Sequence, residues 1–529
     1  MMNTVVRSFE VDGGKGFDNY INFFKNSNNL QVIKQTLIMG IGTVVVCGTV
    51  GTFLAFYMNF IKVKFKRILH ILLLSPMMVP GVIIVIAFIQ LYGESGLITK
   101  GLEYILGLST VPYEFSGLIG ILFVHACTQY VYFYLNVSVA LKYVDFSTIE
   151  AARGMGASKA RIAFTIIMPA IAPALLSSTI VTFISGIGSF SAPNLIGRGY
   201  KVLSTQIVRS KANNYMNIAS LQVVILLLLG LSVMLLIQHY EKKLSFEASV
   251  RNVRIQPSNI ENPLLKWGLH CFMSVVVIII NLPIAGMFLL SFAKPGSMMM
   301  EIFPKAFVLE NYMKIFNNPR VLQPLINSIS MSAITVGILI LISLPIAYFV
   351  AKRKNNLTRS MEILAMLPWA MPVSTIAINL INTFNVKNVF AFNKPLIGSF
   401  WILPLAYVII SLPLMIRSNI LAMESFNISL EHASKSLGAG VFRTFRKVTA
   451  PAVMPAIISS GALVFVKTIG EYTMSALLYG IHNRPISIAM VTTMQEYQIE
   501  LSMAYGVLTV MVCFAAMFVV MKLDKERYF

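Results

Sequence analysis

Eleven stretches of about 20 mostly apolar residues constrain this chain more than anything else in it. They lie near 35–59, 68–92, 117–141, 164–190, 217–239, 267–292, 325–351, 360–383, 398–421, 452–478 and 502–522. A run of about 20 such residues crosses the hydrocarbon core of a bilayer as a helix, and in lipid only helices or closed barrels satisfy their own backbone groups. These runs are rich in Leu, Ile, Val, Phe and Met, and lack the short alternating strands of a barrel. Only 12% of the 529 residues are charged, about half the share of a soluble domain. A large water-soluble enzyme is therefore excluded. The expected fold class is all-α integral membrane, with about 11 transmembrane helices.

The loops set an expected orientation. Basic clusters stand at Lys62, Lys64, Lys66 and Arg67, at Arg153, Lys159 and Arg161, and at Lys242, Lys243, Arg251 and Arg254. Others follow at Lys352, Arg353 and Lys354, at Arg443, Arg446 and Lys447, and at Lys522, Lys525 and Arg527. Eleven alternating crossings put all of them on one side, and the positive-inside bias makes that side cytoplasmic. The N-terminus is then expected outside and the C-terminus inside. The net charge of +21 reads as loop charge, with no nucleic-acid partner implied. The polar opening MMNTVVRSFEVDGGKGFDNY lacks the apolar core of a signal peptide. Cys47, Cys127, Cys271 and Cys513 sit in apolar runs without CxxC spacing, so neither zinc nor a disulfide framework is suggested, and no metal ligands are assigned.

The chain repeats itself. DNYINFF at 18–24 matches ENYMKIF at 310–316, and LLSPMMVPG at 73–81 matches AMLPWAMPV at 365–373, both offset by 292. EAARGMGAS at 150–158 matches HASKSLGAG at 432–440, and MPAIAPAL at 168–175 matches APAVMPAI at 450–457, both offset by 282. The first half thus carries ten extra residues in the loop near 93–115. The organisation expected is an extracytoplasmic segment over 1–30, a first transmembrane domain over 31–240, a cytoplasmic linker over 241–264 and a second transmembrane domain over 265–529. The second half has a leading run at 267–292 without a counterpart in the first, giving five spans against six. Two homologous halves in one orientation, with a pathway between them, make a transporter architecture.

Two cytoplasmic segments carry the most specific pattern. FSTIEAARGMGASKARIAFTIIMPAIAPAL starts at Phe146, and NISLEHASKSLGAGVFRTFRKVTAPAVMPAI starts at Asn427. Each offers a helix start, Ser147 three residues before Glu150 as a capping box and Ser429 three before His432. Each then has a glycine, Gly156 or Gly438, suited to a left-handed helix end. Two prolines four apart follow where the next span begins: Pro169 and Pro173, Pro451 and Pro455. A short helix across the membrane face, joined to a span by a glycine turn, suits transmission of force from a partner.

These segments resemble the EAA loop of permease subunits from type I ATP-binding-cassette importers. EAARGMG at 150–156 matches that family's pattern; in the second copy His432, Ala433 and Ser434 fill the EAA slots, with Glu431 one residue earlier. The resemblance covers about 30–240 and 267–525. It implies that Glu150, Ala151, Ala152 and Gly156, and Glu431, His432, Ala433 and Gly438, form coupling helices docking on two copies of a nucleotide-binding ATPase subunit. It also implies an extracytoplasmic substrate-binding protein and a bacterial plasma-membrane location. ATP and Mg²⁺ belong to the partner ATPase, because GGKG at 13–16 lacks the spacing of a phosphate-binding loop. FISGIGSFSAPNLIG from Phe183, FVKTIGEYTMSALLYG from Phe465, YKVLSTQI at 200–207 and NRPISIAM at 483–490 resemble the fused ferric-iron branch. Permeases for phosphonates, thiamine, polyamines, sulfate and molybdate are similar there too.

Several membrane-level residues carry two readings each. Lys467 and Glu471, four apart, are expected to share a helix face and pair. They either fix helix register or, with Tyr472, line the pathway or its outer gate, opposite Ser189 and Phe190 in the first half. His125, Gln129, Tyr132 and Asn136 form a polar stripe on the third span, serving packing or a cavity. The pairs Pro76/Pro80 and Pro368/Pro372 break helical hydrogen bonds and are expected near the pathway, as hinges or passive kinks. An ion-coupled secondary transporter would need intramembrane carboxylates, and only Glu471 qualifies. An intramembrane enzyme would need acids at helical spacing from His125, and there are none.

Overall fold

In the computed structural model, residues 2–11, 14–111, 113–243, 262–301, 303–352, 355–387, 389–391 and 393–525 are described. Most of the linker expected at 241–264, with Arg251 and Arg254, lies outside the described residues, as do Gly13, Arg353, Lys354 and Arg527. The chain is predominantly helical. Among the described residues ten helices are long and apolar enough to cross a membrane. A bent pair, Asn356–Trp369 with Val373–Phe384, turns through 106° and makes an eleventh if it is one span.

Two compact units emerge, and their boundary differs from the sequence boundary. The N-terminal unit comprises Val5–Met77 and Ile84–Gly286; the C-terminal unit comprises Met1–Thr4, Met78–Ile83 and Met287–Phe529. Most of the leading helix of the second half, Pro263–Ser291, is therefore packed with first-half spans. Asn281 accepts from Ser75 Oγ at 2.7 Å, the Tyr57 hydroxyl meets His270 Nδ1 at 2.8 Å, and Phe53 and Phe272 stack edge to face at 5.3 Å. The reason is polar pairing: a span bearing His270 and Asn281 buries those groups where partners exist.

The first half opens on a short helix whose end is held as the end of the second half's leading helix is. Asn311 donates to the carbonyls of Ser291 and Ala293, and Tyr312 donates to Ser291 Oγ. Asn19 donates to the carbonyls of Ser8 and Glu10, and the Tyr20 hydroxyl meets Ser8 Oγ. The repeated Asn-Tyr pair thus grips the same feature twice. In each case the residue gripped is the last of a helix, Ser8 of Met2–Ser8 and Ser291 of Pro263–Ser291. A two-stranded antiparallel ribbon, Glu10–Val11 with Gly14–Lys15, follows it, Glu10 opposite Lys15.

Each unit is built on three packed spans. In the N-terminal unit they are Ser27–Phe60, Gly117–Leu141 and Lys159–Ile187. Gly51 lets backbones approach: a Cβ there would lie 2.4 Å from the Tyr130 carbonyl oxygen. Small residues permit such close contact between membrane helices. In the C-terminal unit the spans are Pro319–Lys352, Ile402–Glu424 and Val441–Ile469, with Leu339, Met415, Ile416, Ile457 and Val464 buried among them.

Two expected runs change shape. The run at 68–92 divides into Lys66–Met78 and Gly81–Tyr92, and the apolar stretch continues to Leu106. The ten extra residues near 93–115 fold in part as the helix Leu97–Leu106. Arg198 ties this loop down through Glu94 and Glu114. The run at 452–478 ends as a long helix at Ile469, and its remainder forms a separate helix, Thr473–Leu478.

Candidate functional site

The two EAA-like segments have nearly the same backbone. The helices Phe146–Gly154 and Ser429–Ser436 each end in a left-handed glycine, Gly156 at φ 80° and Gly438 at φ 81°. In the first, Gly156 N–H donates to Arg153 O and Ala157 N–H to Ala152 O; in the second, Gly438 donates to Lys435 O and Ala439 to Ser434 O. This double closure satisfies helix-end carbonyls that would otherwise be orphaned. The expected glycine turn is present in both halves.

The helix starts differ from expectation. Asp145, not Ser147, caps the first helix, accepting from Ser147 N–H at 3.0 Å. Asn427 accepts from Ser429 N–H at 3.0 Å in the second. An Asx carboxyl or amide reaches the N–H two residues on, so the first helix starts before Ser147 and leaves that residue in its first turn.

A feature missed from sequence follows each turn. Ala163–Ile167 and Phe445–Thr449 are π-helical, at the same offset of 282, and run directly into Met168–Ile187 and Ala450–Ile469. Pro169 and Pro451 lack an N–H and crowd the preceding turn; the wider π turn accommodates them. The paired prolines were the available signal.

The side chains on this shared backbone diverge. Glu150, Ala151 and Gly156 are exposed and Ala152 is buried. His432, Ala433 and Gly438 are exposed, whereas Glu431 is 3% exposed. Glu431 Oε2 pairs with Lys352 Nζ at 3.1 Å, and Oε1 accepts from Thr449 Oγ1 at 2.8 Å. It therefore has no free face for docking, contrary to its expected place in the contact set. The tips present bare apolar side chains, Met155 at 82% exposure and Leu437 at 88%. A groove of about 270 Å³, lined by Phe426, Leu430, Val453 and neighbours, lies beside the second helix.

A second pair of corresponding places lies where the following span ends. The expected Lys467–Glu471 ion pair is not formed: among the described residues no such contact lies within 4.0 Å. The helix stops at Ile469, so the two residues do not share a helix face. The Glu471 carboxylate instead accepts from the N–H groups of Thr473, Met474 and Ser475 at 2.8–3.2 Å. Those N–H groups open the helix Thr473–Leu478 and have no intrahelical partner. Exposed Lys467 donates to the Ile410 carbonyl at 3.4 Å. In the first half Ser189 occupies the place of Glu471, and its hydroxyl meets His125 Nε2 at 2.9 Å. The carbonyls of both are held by a serine, Ser204 on Ser189 O and Ser487 on Glu471 O. Phe190 and Tyr472 are both buried.

The third-span stripe is split by its surroundings. His125 is 2% exposed, with Nδ1 on Thr43 Oγ1 at 2.8 Å and Nε2 on Ser189, so both nitrogens are engaged in packing. Gln129 sits at the break between Gly117–Thr128 and Tyr130–Leu141, and its Oε1 is a buried acceptor without a partner among the described residues. Asn136 donates to Ser178, while Tyr132 is partly exposed. Pro76 lies inside Lys66–Met78 and Pro80 at the break that follows; Pro368 opens a 3₁₀ turn, Leu367–Ala370, and Pro372 caps Val373–Phe384. Pro80 packs on Gly470, where a Cβ would lie 2.1 Å from the ring.

Known proteins share this pattern. The family model "Binding-protein-dependent transport system inner membrane component" matches residues 48–246 and 340–526. The probable ABC transporter permease protein y4fN of Sinorhizobium fredii is 32% identical over 86% of this chain and 80% of its own length. The ferric transport system permease protein FbpB of Actinobacillus pleuropneumoniae is 24% identical over 92% of this chain and 70% of its own. The molybdenum transport system permease protein ModB of Escherichia coli is 41% identical over 68 residues, 13% of this chain and 30% of its own.

Proposed function

The chain belongs to the family of binding-protein-dependent transport system inner membrane components, and from that premise we propose how it works and what it carries. It is a multi-pass permease of an ATP-binding-cassette importer. Both transmembrane domains stand on one chain, so its two coupling helices engage two copies of a separate ATPase. That partner binds and hydrolyses ATP with Mg²⁺, and a substrate-binding protein delivers cargo to the outer face. The observation that carries the reading is the duplicated segment: short helix, left-handed glycine, π turn and proline-led span, twice at one offset. The exposed tips Met155 and Leu437, beside Glu150 and His432, supply the docking surface. ATP binding draws the two helices together and opens the pathway outward; hydrolysis returns it inward.

Ferric iron is the cargo favoured, on the likeness to ferric permeases over most of the chain. Phosphonate, thiamine, a polyamine or an oxyanion is the alternative. An ion-coupled transporter is disfavoured because the Glu471 carboxylate is occupied in capping a helix. Uptake into proteoliposomes containing the partner ATPase, with ferric iron and this panel of solutes, tests the reading. ATP-independent uptake would refute it, and ATP-dependent uptake of another solute alone would refute ferric iron. On this reading the N-terminus lies outside: a cysteine at Asn3 should react with an impermeant thiol reagent in intact cells, and labelling only after permeabilisation would reverse the topology.

A further inference from the structure

We propose that Lys352, Glu431 and Thr449 form a latch that makes the second coupling helix move as one piece with two spans, and that apolar residues stand in its place at the first coupling helix. This rests on the coupling reading above. Glu431 lies in the first turn of Ser429–Ser436. Lys352 is the last residue of the span helix Pro319–Lys352, and Thr449 is the last residue of the π turn entering Ala450–Ile469. One carboxylate, 3% exposed, therefore joins three elements, at 3.1 Å to the ammonium and 2.8 Å to the hydroxyl. The same ammonium stands 5.8 Å from the ring centroid of Phe426, just before the coupling helix.

The repeat shows what this site is without the charges. The positions matching Lys352, Glu431 and Thr449, by offsets of 292 and 282, are Phe60, Ile149 and Ile167. Ile149 and Ile167 are buried at 1% and 6% exposure. Apolar burial is non-directional, so such a site tolerates sliding while it stays covered. A buried, charge-assisted contact is directional, and separating its members leaves two charges unsatisfied. Force on the second helix thus reaches Pro319–Lys352 and Ala450–Ile469 before the contact yields. Glu431 is a positioning residue, acting from beneath the docking surface.

The test uses the complete importer in proteoliposomes, measuring solute uptake and ATP hydrolysis together. In Glu431→Gln the ATPase still co-purifies and hydrolyses ATP, but uptake per ATP falls about tenfold, within the usual span of a coupling free energy. Lys352→Arg, which keeps the charge, retains the native ratio. The triple replacement Lys352→Phe, Glu431→Ile and Thr449→Ile installs the residues of the first half and leaves no buried charge, so it separates coupling from stability. It should assemble with the ATPase and remain uncoupled. A native uptake-to-ATP ratio in either Glu431→Gln or the triple variant overturns the latch. Failure of the coupling reading itself looks different: the unaltered importer would then show no ATP-dependent uptake.

Discussion

The first and second EAA-like segments share a backbone and differ in chemistry. Both have an Asx side chain accepting from the N–H two residues on, a left-handed glycine within one degree of the other in φ, and a π turn before a proline-led span. Yet Ile149 is replaced by the paired Glu431, and exposed Glu150 by exposed His432. The difference teaches which part of a duplicated machine is held fixed. Backbone geometry sets how the short helix turns and how the next span is entered. The side chains beneath it fill the same space by different means, apolar burial at Ile149 and Ile167 in the first half and a directional ionic contact at Glu431 in the second.

The largest test of this comparison removes one charge. Glu431→Gln leaves the Lys352 ammonium without its counter-ion, an uncompensated burial worth about 3–5 kcal/mol. Glu150→Gln, on an exposed face, should change stability by under about 0.5 kcal/mol. Thermal unfolding in detergent reads both. Equal shifts would mean that the two acidic residues are equivalent after all.

The glycines should behave alike where the carboxylates do not. Gly156→Val and Gly438→Val each force a side chain into the left-handed region, at a cost of about 1–2 kcal/mol. Each is expected to weaken ATPase co-purification to a similar degree. A loss confined to one half would break the backbone equivalence.

The span ends give a second asymmetric pair. Glu471→Gln removes one of two acceptor oxygens serving three N–H groups, for about 1.5–3 kcal/mol, whereas Ser189→Ala loses a neutral hydrogen bond worth about 0.5–1.5 kcal/mol. Unfolding midpoints of the two variants measure the difference, and a larger shift for Ser189→Ala would invert it. The smallest effect expected is the coupling between Lys467 and Glu471. Because they are not in contact, a double-mutant cycle with Lys467→Met and Glu471→Gln should give at most about 1 kcal/mol. A coupling of about 3 kcal/mol or more would restore the ion pair that the geometry denies.

The span count, the duplication and the glycine turns were legible because each is a local pattern written twice. Apolar runs of bilayer length, a repeat offset and a glycine before paired prolines need no knowledge of neighbours. Helix caps were misread by two residues because Ser147 and Asp145 are both plausible acceptors, and only the backbone path chooses. Lys467 and Glu471 were misread because i, i+4 spacing implies a pair only while the helix continues, and this one ends at Ile469.

The sequence by itself determined that this chain lives in a membrane, is built twice, and carries the same glycine-turn, proline-led segment in each half. Those conclusions follow from hydrophobic length, periodicity and backbone permissiveness, all properties of residues near one another in the chain. Only the tertiary structure decided that Pro263–Gly286 packs with the first half, that Glu431 is sealed against Lys352 and Thr449, and that Glu471 caps a helix. Each outcome depends on which distant group meets a buried polar atom. A buried charge or amide takes the partner the fold brings to it, and its neighbours in sequence do not specify that partner.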